Sequence, residues 1–513
     1  MKFNKKLAVA VSSAVLLMAG QVALADSATD IVDALVAKGV LTEEEGKLIT
    51  KGHTSKTKVT PVVKEKDGAF ILESANEANS ISITGRMHLD YRASSVGPDD
   101  TGARADDKDT SSLADQFELR RARLGVKGKL AKDFKYEVVA NLPGTATVDI
   151  AYADWAKYEP FQIRAGKFKQ PFGLEELISS NNITMMERSY LDQTVPAKKL
   201  GIQVMGAPTK GMTYALSGFQ YNDAALDVYG DGMMSGAGRV TFNFAESMGD
   251  KESVLHIGLA GLNGQYSVRG SSTGNTSSSA DTASSRATIS SFRSAGRGIA
   301  NVFRGQVGTQ PCATGGTYSC PSEFGAKVNQ KAFGLEAIFA RGPLKLMGEY
   351  SNGEYEAVSY QNSTSYDTKT YYLETGYFIT GEKYADSYKN GVFGSFKPKN
   401  NFDLDSNHMG AVELAFRIDG FNVDDVITAA GNSSTITSRI QGSTSSSTTG
   451  GKSGATTYTA GIRWILNPNV VFKANYAYTK MDYPFTPIDT VASTALNNIN
   501  SESLLMTRLQ YMF

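Results

Sequence analysis

The chain ends in Ser503-Leu-Leu-Met-Thr-Arg-Leu-Gln-Tyr-Met-Phe513, and this stretch decides the fold class. Successive side chains of a β-strand point to opposite faces, so Leu509, Tyr511 and Phe513 share one face and Arg508 falls on the other. One side of the strand therefore suits an apolar environment and the other side suits water. A strand of a water-soluble sandwich shows the same alternation, so the residue on which the chain stops adds the deciding signal.

That residue is aromatic. A terminal phenylalanine after alternating apolar residues resembles the mark that outer-membrane barrels present to their assembly machinery. The resemblance favours a transmembrane barrel over a soluble sandwich, and it implies that the assembly machinery recognises Phe513.

Segments with the same period of two recur along the chain. There are sixteen, and an even number is typical of bacterial single-chain barrels. They lie at about 81–92, 116–130, 133–142, 147–158, 161–168, 199–207, 211–221, 237–245, 253–263, 331–341, 343–353, 368–380, 407–418, 456–466, 469–481 and 502–513. Short turns alternate with longer polar loops between them, as periplasmic turns alternate with outside loops in such barrels. We therefore predict an all-β fold, a 16-stranded antiparallel transmembrane β-barrel with a short helical N-terminal segment.

The N-terminus has the order of a secretory signal peptide. Three lysines precede an apolar run over residues 7–20, and Ala23-Leu-Ala25 then precedes Asp26. The run is too short to span a bilayer as a helix, and no later stretch approaches the roughly 20 apolar residues that a membrane helix requires. We predict a signal peptide over 1–25 and a mature chain that begins at Asp26.

Residues 28–51 carry apolar side chains at helical spacing. Gly39 is a helix stop, and Thr42 followed by Glu45 is a capping pair, so two short helices are expected here. The domains predicted are a periplasmic helical segment and linker over 26–75 and the barrel over 76–513. Association of the helices between subunits and a helical hairpin within one subunit are equally compatible with the sequence.

Net charge gives no indication of a preferred ion. The chain has 52 basic and 52 acidic residues, and removal of the signal peptide leaves a net charge of −3. Selectivity must therefore arise from where the charges lie.

The two cysteines, Cys312 and Cys320, are eight residues apart in an exported chain, which favours a disulfide. A metal site is the alternative, but no histidine or second cysteine pair lies nearby.

No catalytic constellation stands out in the sequence. The four histidines are scattered without metal-ligand spacing, and no nucleophile has a base placed beside it by sequence. We therefore expect no enzyme activity, no cofactor and no nucleic-acid partner. A phospholipase-type barrel, with a catalytic site assembled from distant strands, is the catalytic alternative.

A row of basic residues follows one face of the second strand. Arg121, Arg123, Lys127 and Lys129 alternate with apolar residues, and each charge would cost about 2–4 kcal/mol on the lipid face near the midplane. The row should therefore face the lumen, and the same alternation turns Arg120 outward. It also predicts further inward arginines, which are Arg86, Arg164, Arg463 and Arg508. Guanidinium groups suit phosphate or carboxylate, but mixed charges also line water-filled barrels for solubility alone.

The stretch Arg164-Ala-Gly-Lys-Phe-Lys-Gln-Pro-Phe-Gly-Leu-Glu-Glu-Leu177, which continues as a charged loop to Tyr190, resembles the constriction loop of the phosphate-selective porin O and P family. Matching pieces recur in the same order over roughly 81–513. They include Gly85-Arg86, Phe117 through Arg123, Glu187-Arg188, Arg293-Ser-Ala-Gly-Arg-Gly-Ile-Ala300, Gly461 through Asn469 and the C-terminal strand.

This resemblance implies a homotrimer of 16-stranded barrels in the outer membrane of a Gram-negative bacterium, surrounded by its lipid. It implies inward-folded loops, with 264–330 among them and 381–406 entering from the periplasmic side. It also implies an arginine ladder that leads small anions to a narrow midpoint, with an acidic residue, Asp149, at the constriction. The ladder positions are Arg86, Arg120, Arg121, Arg188, Arg293 and Arg297.

One position departs from the family. Phosphate-specific members have a lysine directly after Gly-Leu-Glu, where this chain has Glu176. A carboxylate about 4 Å from a phosphate costs on the order of 4 kcal/mol at an effective dielectric constant of 20. We therefore predict passive diffusion of small anions, phosphate or related, without a tight phosphate site. The alternatives are a general or carboxylate-solute porin, and a barrel whose role in the cell envelope is mainly structural.

Overall fold

Sixteen antiparallel strands close into a ring in this computed structural model. The structure describes residues 32, 34–49, 60–66, 69–98, 115–221, 233–268, 286–299, 302–308, 326–359, 362–430, 439–441, 452–485 and 499–513. The predicted signal peptide and the predicted Cys312–Cys320 disulfide lie outside these residues, so both stay predictions.

The strands are β1 (Val62–Lys66), β2 (Ala69–Glu73), β3 (Ser80–Pro98), β4 (Gln116–Leu130), β5 (Phe134–Asn141), β6 (Thr147–Tyr158), β7 (Phe161–Lys169), β8 (Lys198–Gly206), β9 (Met212–Gln220), β10 (Ser235–Asn243), β11 (Ser253–Val268), β12 (Arg286–Phe292), β13 (Phe303–Gly308), β14 (Ala326–Arg341), β15 (Leu344–Val358), β16 (Asn362–Phe378), β17 (Tyr388–Lys389), β18 (Val392–Phe393), β19 (Ala411–Ala430), β20 (Arg439–Gln441), β21 (Ser453–Asn467), β22 (Val470–Phe485) and β23 (Ile499–Met512). Helical turns lie at Leu174–Leu177 and Phe244–Met248, and 3-10 turns lie at Tyr190–Gln193 and Tyr384–Ser387.

The ring comprises β3 to β11, β14 to β16, β19 and β21 to β23. It closes where β23 pairs with β3, with Arg508 opposite Asp90. The predicted number of strands is confirmed. Several strands run further than predicted, and β19 continues to Ala430 rather than ending at 418. Hydrogen bonding between strands needs no apolar side chains, so the ladder continues past the alternating segment from which the prediction was made.

The two faces of the barrel differ as the alternation predicted. On β3, Leu89 is 39% exposed on the outer face, whereas its inward neighbours His88 and Asp90 have no exposed surface. The outer face is apolar and the inner face is filled with polar side chains. Such a surface places hydrocarbon outside and water or protein inside.

The N-terminal segment is helical at 34–37 and 43–49, which confirms the two short helices. The amide of Glu45 donates to Thr42 Oγ1 at 3.2 Å, and the amide of Thr42 donates to Glu45 Oε2 at 2.9 Å. The β1–β2 hairpin was not predicted. It continues the sheet at the edge of β3, with Ile71 opposite Ser82, below the point at which β23 ends. Across the described residues, helices long and apolar enough for a membrane crossing are absent.

Three segments fold into the lumen. The constriction loop, residues 170–197, connects β7 to β8. The outer hairpin, residues 286–299 and 302–308, contains β12 and β13 and enters from the loop side. There Phe292 stacks on Phe421 with ring centroids 4.4 Å apart. The periplasmic segment, residues 381–406, buries Tyr384, Phe393 and Phe396 from the side of the short turns. The inward folding that the resemblance implied for 264–330 and 381–406 is therefore present in the outer hairpin and in the periplasmic segment.

Candidate functional site

The inward segments leave one side of the lumen open. A cavity of about 1480 Å³ follows the inner face of β3 to β10 and is bounded by the constriction loop and the periplasmic segment. We call these strands the open wall. Fourteen basic and five acidic side chains line the cavity. The open wall is therefore strongly electropositive, although the whole chain is nearly neutral.

A β-bulge places two consecutive arginines in the lumen. His88 of β3 pairs with Arg121 and Leu89 pairs with Leu119, so Arg120 is an extra residue on β4. Its Nε donates to Glu187 Oε1 at 3.0 Å and its Nη2 donates to Glu187 Oε2 at 3.2 Å. The prediction from alternation that Arg120 points outward is wrong, because the extra residue of a bulge interrupts the period of two.

Glu187, in the second half of the constriction loop, is shared by three arginines. Besides Arg120, it accepts hydrogen bonds from Arg92 Nη2 and Arg508 Nη2, each at 2.9 Å. Burial alone would raise the pKa of Glu187, but Arg120, Arg508 and Arg121 hold it well below its usual range. The sequence interpretation did not assign a role to Glu187, because the partners come from strands far apart in the chain.

Arg86 is the clearest free charge on the open wall. Its Nη1 donates to Ser180 Oγ at 3.1 Å and lies 3.4 Å from Ser179 Oγ. Arg121 also lines the cavity, and its Nη1 lies 3.5 Å from His88 Nδ1. Neither guanidinium has a carboxylate within ion-pair distance in the described part of the chain. Both charges are therefore available to a passing anion.

The predicted constriction acid, Asp149, is neutralised. Arg123 Nη1 lies 2.9 Å from its Oδ2, and Lys198 Nζ lies 2.5 Å from its Oδ1. Lys198 had no assigned role in the sequence interpretation, since nothing local distinguishes it from other lysines near a strand end. Arg164, lower in the cavity, pairs with Asp154 through two bonds of 2.7 and 2.8 Å and lies over the ring of Tyr152.

Glu176 is also paired, and it is only 3% exposed. Its Oε2 lies 2.5 Å from Arg188 Nη1, and its Oε1 lies 3.8 Å from Lys169 Nζ. Although burial would raise the pKa of Glu176, these two cations hold it at about 2. The carboxylate is thus charged but compensated. The estimate of about 4 kcal/mol for its repulsion of phosphate applies to an unpaired carboxylate and overstates the effect.

The outer hairpin carries the remaining ladder positions above the constriction loop. The amide of Arg293 donates to Gln193 Oε1 at 2.8 Å, which connects the hairpin to the constriction loop. Arg297 adopts a left-handed backbone conformation, with φ of 60°, at the tip of the turn. Within the described ranges its guanidinium makes no ion pair, and Glu187 is the opposite charge that acts on it most strongly.

The opposite side of the lumen is closed. We call β14 to β16, β19 and β21 to β23 the closed wall. Its buried cations are bonded to the constriction loop or to neighbouring strands. Arg417 lies 3.0 Å from Glu175 and 3.1 Å from Asp419. Lys473 Nζ donates to the carbonyl oxygen of Ile183 at 2.5 Å. In the described part of the chain, His, Cys, Asp and Glu form no group of three or more that could hold a metal ion.

Comparison with known proteins identifies relatives of the whole barrel. A profile of the phosphate-selective porin O and P family matches residues 81–291 and 314–513. Porin O of Pseudomonas aeruginosa is 26% identical over 472 residues, which cover 88% of this chain and 92% of that protein.

Solved porin structures are more distant in sequence. Outer-membrane expressed OmpT of Vibrio cholerae is 10% identical, with a TM-score of 0.47 over 85% of this chain and 98% of that one. An anion-selective porin from Comamonas acidovorans is 11% identical, with a TM-score of 0.43 over 85% of this chain and 100% of that one.

Proposed function

Because the chain belongs to the phosphate-selective porin O and P family, we propose that this outer-membrane porin is a passive channel that prefers small anions. The observation that carries the proposal is the excess of basic side chains around the cavity, fourteen against five acidic ones. A water-filled path lined by one sign of charge concentrates ions of the opposite sign and raises their flux.

The narrow part of the cavity retains this excess despite Glu176. Six cations and two carboxylates meet there beside the constriction loop, namely Arg86, Arg121, Arg123, Lys169, Arg188 and Lys198 with Asp149 and Glu176. Each carboxylate already has two cationic neighbours, whereas Arg86 and Arg121 have no carboxylate within ion-pair distance among the described residues. A passing anion therefore meets net positive charge without a dedicated multidentate site. Phosphate is one permeant anion among several in this proposal.

The test is single-channel recording in a planar lipid bilayer. In a potassium chloride gradient we expect a reversal potential of the sign that chloride permeation gives. The preference should weaken as ionic strength rises from about 0.1 M to about 1 M, because the screening length falls from about 10 Å to about 3 Å. Cation selectivity at low salt would contradict the proposal.

A general porin for carboxylate solutes is the second candidate. It is supported by the unpaired guanidinium of Arg86, since guanidinium binds carboxylate and phosphate with the same two-donor geometry. Permeability ratios for acetate, phosphate and chloride distinguish the two candidates. Equal ratios after correction for ion size would favour the general porin.

We also propose a homotrimer, which the family relationship supports, and recognition of Phe513 by the barrel-assembly machinery. The terminal residue exchanges backbone hydrogen bonds of 2.9 and 3.1 Å with Gly85 as the barrel closes.

Residues 26–75 are proposed as a periplasmic segment with a role in cell-envelope attachment. Deletion of 28–51 should then leave conductance intact and weaken that attachment, and native mass measurement in detergent tests the trimer.

A further inference from the structure

Arg188 lines the cavity with all three of its guanidinium nitrogens bonded to its own loop. Nε donates to the carbonyl oxygen of Glu175 at 2.9 Å, and Nη2 donates to that of Ile178 at 2.9 Å. Nη1 carries the ion pair with the Glu176 carboxylate at 2.5 Å. The carbonyl bonds fix the plane of the guanidinium. Nη1 lies against the Glu176 carboxylate, and Nε lies 3.6 Å from Asp192 Oδ1.

Lys169 approaches the same carboxylate from the end of β7. Its Nζ donates to the carbonyl oxygens of Glu176 and Ile178, the latter at 3.0 Å, and lies 3.8 Å from Glu176 Oε1. Lys169, Glu176 and Arg188 all line the cavity. Two cations held by backbone carbonyls thus converge on one carboxylate at the edge of the anion path.

We propose that the Glu176 carboxylate acts as a tethered anion that occupies an inorganic phosphate site formed by Arg188 and Lys169. By filling this site, it prevents phosphate from binding there and blocking the current. The inference rests on the proposed function and deepens it. A carboxylate fills the place that a phosphate oxygen would take, and both groups accept charge-assisted hydrogen bonds from guanidinium and ammonium. Because the occupant is covalently attached, free anions do not displace it at ordinary concentrations.

Removal of the carboxylate charge should open the site without dismantling it. The carbonyl bonds of Arg188 and Lys169 do not involve the Glu176 side chain, so both cations keep their positions after Glu176→Gln. A site held in place before binding loses less affinity to ordering. Among the described residues, Asp192 is the second carboxylate within ion-pair distance of Arg188, with its Oδ1 3.6 Å from Nε, so the double variant Glu176→Gln, Asp192→Asn removes both carboxylates.

Glu137→Gln is the matched control. Glu137 lines the same cavity and accepts a hydrogen bond from the Tyr152 hydroxyl at 2.7 Å. Among the residues that the structure describes, no cation lies within ion-pair distance of it. The control therefore removes one negative charge from the cavity by the same chemical change, but it releases no bound cation.

The experiment measures chloride current through single channels while inorganic phosphate is added. We expect Glu176→Gln or the double variant to show saturable block, with a half-blocking phosphate concentration lower than in the unsubstituted chain by about tenfold or more, since ion-pair hydrogen bonds are the strong ones. Glu137→Gln should behave as the unsubstituted chain does. If both Glu176 variants match Glu137→Gln, the inference is overturned, whereas anion selectivity of the unsubstituted channel would still support the proposed function.

Discussion

The open wall and the closed wall carry similar side chains in opposite circumstances. On the open wall, Arg86 faces the cavity with two serine hydroxyls as its partners. On the closed wall, Arg417 is fully buried between Glu175 and Asp419. The comparison shows that an inward arginine does not by itself mark the ion path. What distinguishes the path is an arginine whose charge is left uncompensated beside water.

The two circumstances also have different energetic consequences. A buried ion pair contributes little net stability relative to apolar residues, but loss of one partner leaves a buried charge without compensation. A partly exposed arginine beside hydroxyl groups, such as Arg86, is partly hydrated, and its loss leaves no buried charge without compensation. Substitutions of buried, paired arginines such as Arg417 should therefore act on stability, and substitutions of unpaired arginines on the open wall such as Arg86 should act on selectivity.

The largest expected effect is that of Arg417→Met. The variant leaves the Glu175 and Asp419 carboxylates buried without their shared cation, at a cost of about 3–5 kcal/mol of unfolding free energy. The constriction loop should then detach from β19. Urea unfolding measures the change, with the loss of the heat-resistant folded band on a denaturing gel as the readout.

Arg86→Met is the matched control, because it makes the same substitution on the open wall. Its cost in unfolding free energy should stay below about 1 kcal/mol, as for other partly exposed side chains without a buried partner. If the two variants were equally destabilised, the distinction between the walls would be wrong.

The selectivity of Arg86→Met is the second prediction. Loss of one uncompensated charge near the constriction should remove on the order of 1 kcal/mol of attraction for a monovalent anion after screening, a change of about fivefold in the anion-to-cation permeability ratio. Reversal potentials in a potassium chloride gradient at low salt measure it. An unchanged ratio would mean that Arg86 does not line the path that ions take.

Much of this contrast could not be predicted from the sequence. The alternation of apolar and polar residues identified the inward faces and the sixteen strands, because lipid on one side and water on the other impose it on every strand. It failed at Arg120, where a bulge shifts the register by one residue. It also could not identify which inward arginines are compensated. Arg417 and its partner Glu175 are 242 residues apart along the chain and meet only because the constriction loop crosses the lumen.

Glu176 illustrates the same limit. The sequence alone shows that Glu176 stands where phosphate-specific members of the family have a lysine, and this difference predicts weaker selectivity for phosphate. The pairing with Arg188 and Lys169 depends on how the loop folds back on the end of β7. That fold converts an expected repulsive charge into a compensated one.

The smallest expected effect is that of Lys383→Met at the periplasmic rim. Lys383 Nζ lies 2.5 Å from Glu252 Oε2, but the two side chains are 41% and 62% exposed and neither lines the cavity. Exposed ion pairs of this kind contribute little, because water and salt screen them and two long side chains must be ordered. Neither urea unfolding nor the reversal potential should change measurably. A clear shift in reversal potential would show that charges outside the cavity also steer ions. Selectivity would then not be determined by the unpaired charges of the open wall alone.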